Sequence, residues 1–161
     1  MDAGVLQHIV GFLRDIGLRV EQRTLAADTI LPGISLDDGI LVFDPDRVAY
    51  PGDLLHEAGH LAVMPAAERA NLGSNAGQDA RDEMGAIAWS YAATVFLRLP
   101  PEIVFHDAGY KGLAGAIREA FGSGRYIGVP LLEWRGLTDF AAPGAMNSAM
   151  RYPVMKKWLC D

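Results

Sequence analysis

The chain has 161 residues, which suits one compact domain and leaves no room for two ordinary ones. Half of the residues are hydrophobic and 21% are charged, a globular composition that excludes disorder as a description of the whole chain. Fourteen scattered basic side chains against 20 acidic ones give a net charge of −6, a poor match to phosphate, so no nucleic-acid partner is expected.

In chain order, Val5, Leu6, Ile9, Val10, Leu13 and Ile16 recur at spacings of three and four, which predicts an amphipathic helix over 4–16 ended by Gly17. No Lys or Arg precedes this apolar stretch, so it does not read as a secretory signal. Leu18-Arg19-Val20-Glu21 alternates like a short strand. Pro32-Gly33 and Asp37-Asp38-Gly39 mark turns. Ile40-Leu41-Val42-Phe43 is a dense strand candidate, stopped by Asp44-Pro45-Asp46. After the turn at Tyr50-Pro51-Gly52, Asp53 suits a helix N-cap, and the helix it opens runs from Leu54 to about Val63. Residues 66–78 read as a loop.

A long helix follows from Asp79 to Leu97, its acidic first turn suited to a helix N-terminus. It contains the longest uncharged run, Met84 to Leu97, at fourteen residues too short for a bilayer span of roughly 20. A buried helix, no membrane partner and a cytoplasmic location are the expectation. Pro100-Pro101 closes the helix. A last helix covers about Leu113 to Phe121, before Gly122-Ser123-Gly124. The tail beyond it has no clear period, and Trp134 and Trp158 are expected to pack there. The single cysteine, Cys160, excludes an internal disulfide and has no setting that would make it a nucleophile.

Chemistry concentrates at His56-Glu57-Ala58-Gly59-His60, an H-E-x-x-H sequence on a predicted helix. Residues four apart share a helix face, so both imidazoles can address one ion, and zinc favours such nitrogen ligands. Glu57, one residue after the first ligand, projects beside the ion, where it can take a proton from a water the ion has acidified. A catalytic site needs a third protein ligand. The acids Asp79, Asp82 and Glu83 open the next helix, 19 to 23 residues after His60. Glu83 is the first choice, since it faces the helix body and reaches furthest. Asp79, one turn earlier on the same face, is the alternative ligand or a group orienting a histidine. Asp82 lies about 100° around the helix from Glu83.

Other residues carry two readings each. His106 is either a hydrogen-bonded loop residue or a stabiliser of a tetrahedral oxyanion. Tyr91 either donates to the site or sits in the core. Gly59 and Gly85 can let the two helices approach closely. Trp89 and Phe96 read as packing, and His8 as structural.

The His56-Glu57-x-x-His60 helix followed by an acid on a second helix resembles the zincin metallopeptidases, in the glutamate-zincin pattern. With its later alanine-rich, aromatic-containing helix, the region of roughly 36–100 looks most like the small ImmA/IrrE-type domains. The pentapeptide is also similar to that of FtsH-type proteases, whose ATPase module has no room here. The resemblance implies a single α+β domain with a small sheet backing the active-site helix. It implies Zn2+ held by His56, His60 and Glu83, with Glu57 as base. Ile40 to Phe43 would be the edge strand beside the cleft, pairing with an extended protein or peptide substrate. Glutamate-zincins often carry an acid four residues after the ligand glutamate; here Ile87 stands there, and Asp79 lies four residues before. Three other functions share the motif: a non-catalytic metal-binding sensor or interaction domain, a metal-free domain with structural histidines, and a hydrolase of non-peptide amides.

Overall fold

A computed structural model describes residues 3–29, 31–72, 80–139 and 151–161. The fold is α+β. Among the described residues there are six α-helices and a three-stranded mixed sheet. Helix α1 (Ala3–Asp15) forms on the expected stripe, burying Leu6, Ile9, Val10 and Leu13. Strands β1 (Val20–Gln22), β2 (Ile34–Asp37) and β3 (Ile40–Phe43) follow. Strand β2 was not among the predicted elements, although Ile34-Ser35-Leu36-Asp37 alternates apolar and polar. Four residues between two turns are too short for the period to stand out.

The sheet order is β1-β3-β2. Strand β3 pairs in parallel with β1, Val20 opposite Leu41, and antiparallel with β2, Asp37 opposite Ile40. Asp38 and Gly39 join β2 to β3 at φ 47° and 77°, the left-handed pair that a two-residue hairpin turn requires. The expected edge strand is therefore the central one. All four residues of β3 are buried, and both of its backbone edges are occupied. An unbroken apolar run fits that position, since a central strand is covered on both faces.

Helix α2 (Asp53–Val63) matches the predicted span, but its N-cap position is Gly52 and no side chain caps it. Asp53 is the first helical residue, and its buried carboxylate turns instead to His106, across the fold. Part of the predicted 66–78 loop is a short helix, α3 (Ala66–Ala70), and 73–79 lie outside the described residues. Helix α4 (Ala80–Phe96) is buried over most of its length, as its uncharged sequence predicts. Ser90 and Thr94 satisfy their hydroxyls on the carbonyls of Ala86 and Ser90, so no polar group is stranded there. No described helix is long and apolar enough to cross a membrane.

Helices α2 and α4 form the main packing contact of the molecule. They meet at Gly59, where a Cβ would lie 2.8 Å from the Ala86 carbonyl oxygen. Gly85, expected to serve the same contact, faces chiefly Leu131 of α6 (Val129–Trp134), with Val63 of α2 at 3.8 Å from its added Cβ. Helix α6 was not foreseen, though Pro130 in its first turn is a start signal. Helix α5 (Ala114–Gly122) is shifted by one residue from its prediction. Two expected packing residues are exposed. Trp134 is 74% exposed, with the Arg135 guanidinium over its ring, and Phe96 is 62% exposed while touching Phe12 and Trp158. Trp158 does pack, accepting the Trp89 indole N–H on its carbonyl.

Two short 3-10 turns, Pro101–Ile103 and Tyr110–Gly112, bound the segment between α4 and α5. In the second, Tyr110, Lys111 and Gly112 are successively left-handed, at φ 57°, 53° and 83°. For an L residue this costs about 1–2 kcal/mol. Lys111 is exposed, so Lys111→Gly relieves the strain without losing a core contact. Glycine's greater unfolded-state freedom takes back about 0.5–1 kcal/mol. A net gain of roughly 0.5–1 kcal/mol is expected in urea unfolding; a lowered midpoint would refute the strain argument.

Candidate metal centre

Helix α2 supplies two of the candidate ligands. His56 and His60, one turn apart, bring their Nε2 atoms to 3.2 Å with the rings edge to face. Helix α4 supplies the third. Glu83 Oε1 lies 3.4 Å from His56 Nε2, and Glu83 Oε2 lies 3.0 Å from His60 Nε2. The α2–α4 contact at Gly59 and Ala86 makes this meeting possible, because Glu83 is one turn before Ala86. At the start of α6, Gly128 adopts φ 76° and lacks a side chain where the Met84 carbonyl passes, so α6 braces the backbone beside Glu83.

Donor atoms around a tetrahedral zinc with bonds of 2.0–2.1 Å stand about 3.3 Å apart. The separations of 3.2, 3.4 and 3.0 Å match that spacing, and two imidazoles with one carboxylate are a donor set zinc accepts. The residues present therefore fit a zinc ion. Glu57 belongs to the same neighbourhood. One ligand atom each from His56, Glu57 and His60 all lie within 4.8 Å of one another. That group differs from the His56–His60–Glu83 set, and the shorter contacts of Glu83 to both Nε2 atoms favour Glu83 as the third ligand.

When the rings of His56 and His60 carry protons on Nε2, their hydrogen bonds hold the Glu83 carboxylate well below its usual range, against the opposing effect of burial. Burial disfavours the charged form of His60, but the bond to Glu83 and the charges of Glu57, Glu83 and Asp82 outweigh it, and its pKa is raised. The cluster thus concentrates negative charge around two imidazoles, a field that favours a cation.

Two residues from the segment before α5 reach the N-terminal half of α2. The Tyr110 hydroxyl lies 3.2 Å from His56 Nδ1, and burial drives its pKa far up. His106 Nε2 lies 2.8 Å from Asp53 Oδ1, with Tyr50 stacked on its ring at 3.8 Å. Burial raises the Asp53 pKa, with His106 acting in the opposite direction. Of the two readings of His106, the hydrogen-bonded one describes it. Tyr91 sits among Phe105, Phe121, Tyr126 and Tyr152, a core setting. Asp79 lies outside the described residues. Tyr110 escaped the sequence reading because nothing local distinguishes it: its partner is 54 residues away. Compared with protein-family models, curated proteins and solved structures, the chain has no match.

Proposed function

We propose that this chain is a zinc-dependent metallopeptidase with a zincin-like fold, acting on protein or peptide substrates. The supporting observation is the convergence of His56 Nε2, His60 Nε2 and the Glu83 carboxylate at tetrahedral spacing, with Glu57 alongside. His56, His60 and Glu83 hold the ion. Zinc, when bound, supplies Lewis acidity, lowering the pKa of a water molecule to about 7 and polarising a carbonyl. Glu57 takes a proton from the attacking water and delivers it to the departing amine. The Glu57 carboxylate is half-buried beside the histidines, which supports that role. Because both edges of β3 are paired, an extended substrate that adds to the sheet must use β1 or β2.

Metal content beside peptide hydrolysis tests this reading. About one zinc per purified chain is expected, lost in His60→Ala, together with cleavage of unstructured peptides that a chelator stops. No zinc in either protein, even after zinc is supplied at neutral pH, would sink the metal site. Stoichiometric zinc without hydrolysis would leave a metal-binding domain that is not a peptidase.

A further inference from the structure

The fold treats the second nitrogens of the two histidines differently. His60 Nδ1 is buried with no hydrogen-bond partner among the described residues. His56 Nδ1 faces the Tyr110 hydroxyl at 3.2 Å, the two rings edge to face at 5.3 Å. A neutral imidazole carries one N–H, and the partner of one nitrogen decides whether the other has a free lone pair. We propose that Tyr110 is a positioning residue of the metal site: its hydroxyl oxygen accepts the Nδ1–H of His56, leaving the Nε2 lone pair aimed between His60 and Glu83.

This inference rests on the metal reading above, but the geometry behind it is separate. Tyr110 and Lys111 are both held at left-handed φ, a conformation non-glycine residues keep only when their surroundings impose it. The segment carrying them is pinned at several points. His106 is bonded to Asp53, one turn before His56 on the same helix, and is covered by Tyr50. Arg118 of α5 donates to the Phe105 carbonyl and to Asp107. The Tyr110 ring packs against Phe105 at 5.3 Å. The hydroxyl is thus delivered to His56 by a fixed backbone.

Tyr110→Phe removes the oxygen and keeps the ring. Two quantities are read: zinc affinity against a competing chromogenic chelator, and the ring 15N shifts of His56 in metal-free protein at a pH where the imidazoles are neutral. The wild-type chain is expected to show His56 protonated at Nδ1. The variant is expected to lose that preference and to bind zinc about 10–100-fold more weakly. Tyr91→Phe, in the core, is expected to change neither, and near-ultraviolet circular dichroism checks that Tyr110→Phe keeps its packing. A shift in only one of the two quantities, or in neither, overturns the proposal. Wild-type protein that binds no zinc overturns the metal reading instead. The tautomer then decides only whether Tyr110 orients the His56 ring: unchanged shifts in Tyr110→Phe overturn that contact, and altered shifts uphold it for the ring and not for a metal site.

Discussion

Glu57→Gln is expected to retain about one zinc per chain while peptide hydrolysis falls by about 10²–10⁴-fold, the usual contribution of a positioned general base. Glutamine has the shape of glutamate but cannot accept the proton. Glu57 follows His56 directly, so it projects about 100° around the helix from that histidine. The variant also separates the two acids of the site. His56, Glu57 and His60 are close enough to hold an ion by themselves, whereas Glu83 makes the shorter contacts to both imidazoles. If Glu83 is the ligand, Glu83→Gln loses zinc and Glu57→Gln does not. Loss of zinc from Glu57→Gln would exchange the two roles. Unreduced hydrolysis with zinc retained would place the base elsewhere. Metal analysis beside single-turnover rates reads every case.

Gly59→Ala is expected to destabilise the fold by about 1–3 kcal/mol, the cost of overpacking a tight core, and to weaken zinc binding as well. The added methyl would stand 2.8 Å from the Ala86 carbonyl oxygen and 3.1 Å from Ala86 Cα. Both are backbone atoms of α4, so no side-chain rotation relieves the clash and the helices must separate. Separation moves Glu83, one turn from Ala86, away from histidines carried on α2. Helix propensity alone predicts the opposite, because alanine is favoured over glycine in a helix by about 0.8–1 kcal/mol. Gly11→Ala isolates that term. It lies within α1, and nothing stands within 4 Å of its added Cβ, so a gain of roughly 0.5–1 kcal/mol is expected there. Urea midpoints of the two variants should therefore move in opposite directions. If both rise, the helix contact at Gly59 is looser than its geometry implies.

Much of the site was legible because its first half is local. The spacing of His56 and His60 puts both rings on one helix face, and the apolar run Met84 to Leu97 marks α4 as buried. Proximity in sequence brought an acidic residue on the next helix into consideration, and two candidates remained, Glu83 and Asp79. Packing placed Glu83 against both imidazoles, through a backbone approach that only the absence of a side chain at Gly59 permits. Asp53 shows where local rules stop: by sequence it is a helix cap, and in the fold its carboxylate pairs with a histidine 53 residues away.

The sequence by itself determined the features that follow backbone geometry: helix faces at a spacing of three and four, the Asp38-Gly39 turn, and the histidine pair on α2. Only the tertiary structure decided which strand is central, which acid meets the histidines, and that Tyr110 and His106 reach α2 at all. Spacing along a helix or strand is dictated by the backbone's own periods. Contacts between distant segments depend on how their faces pack, and no local period records that.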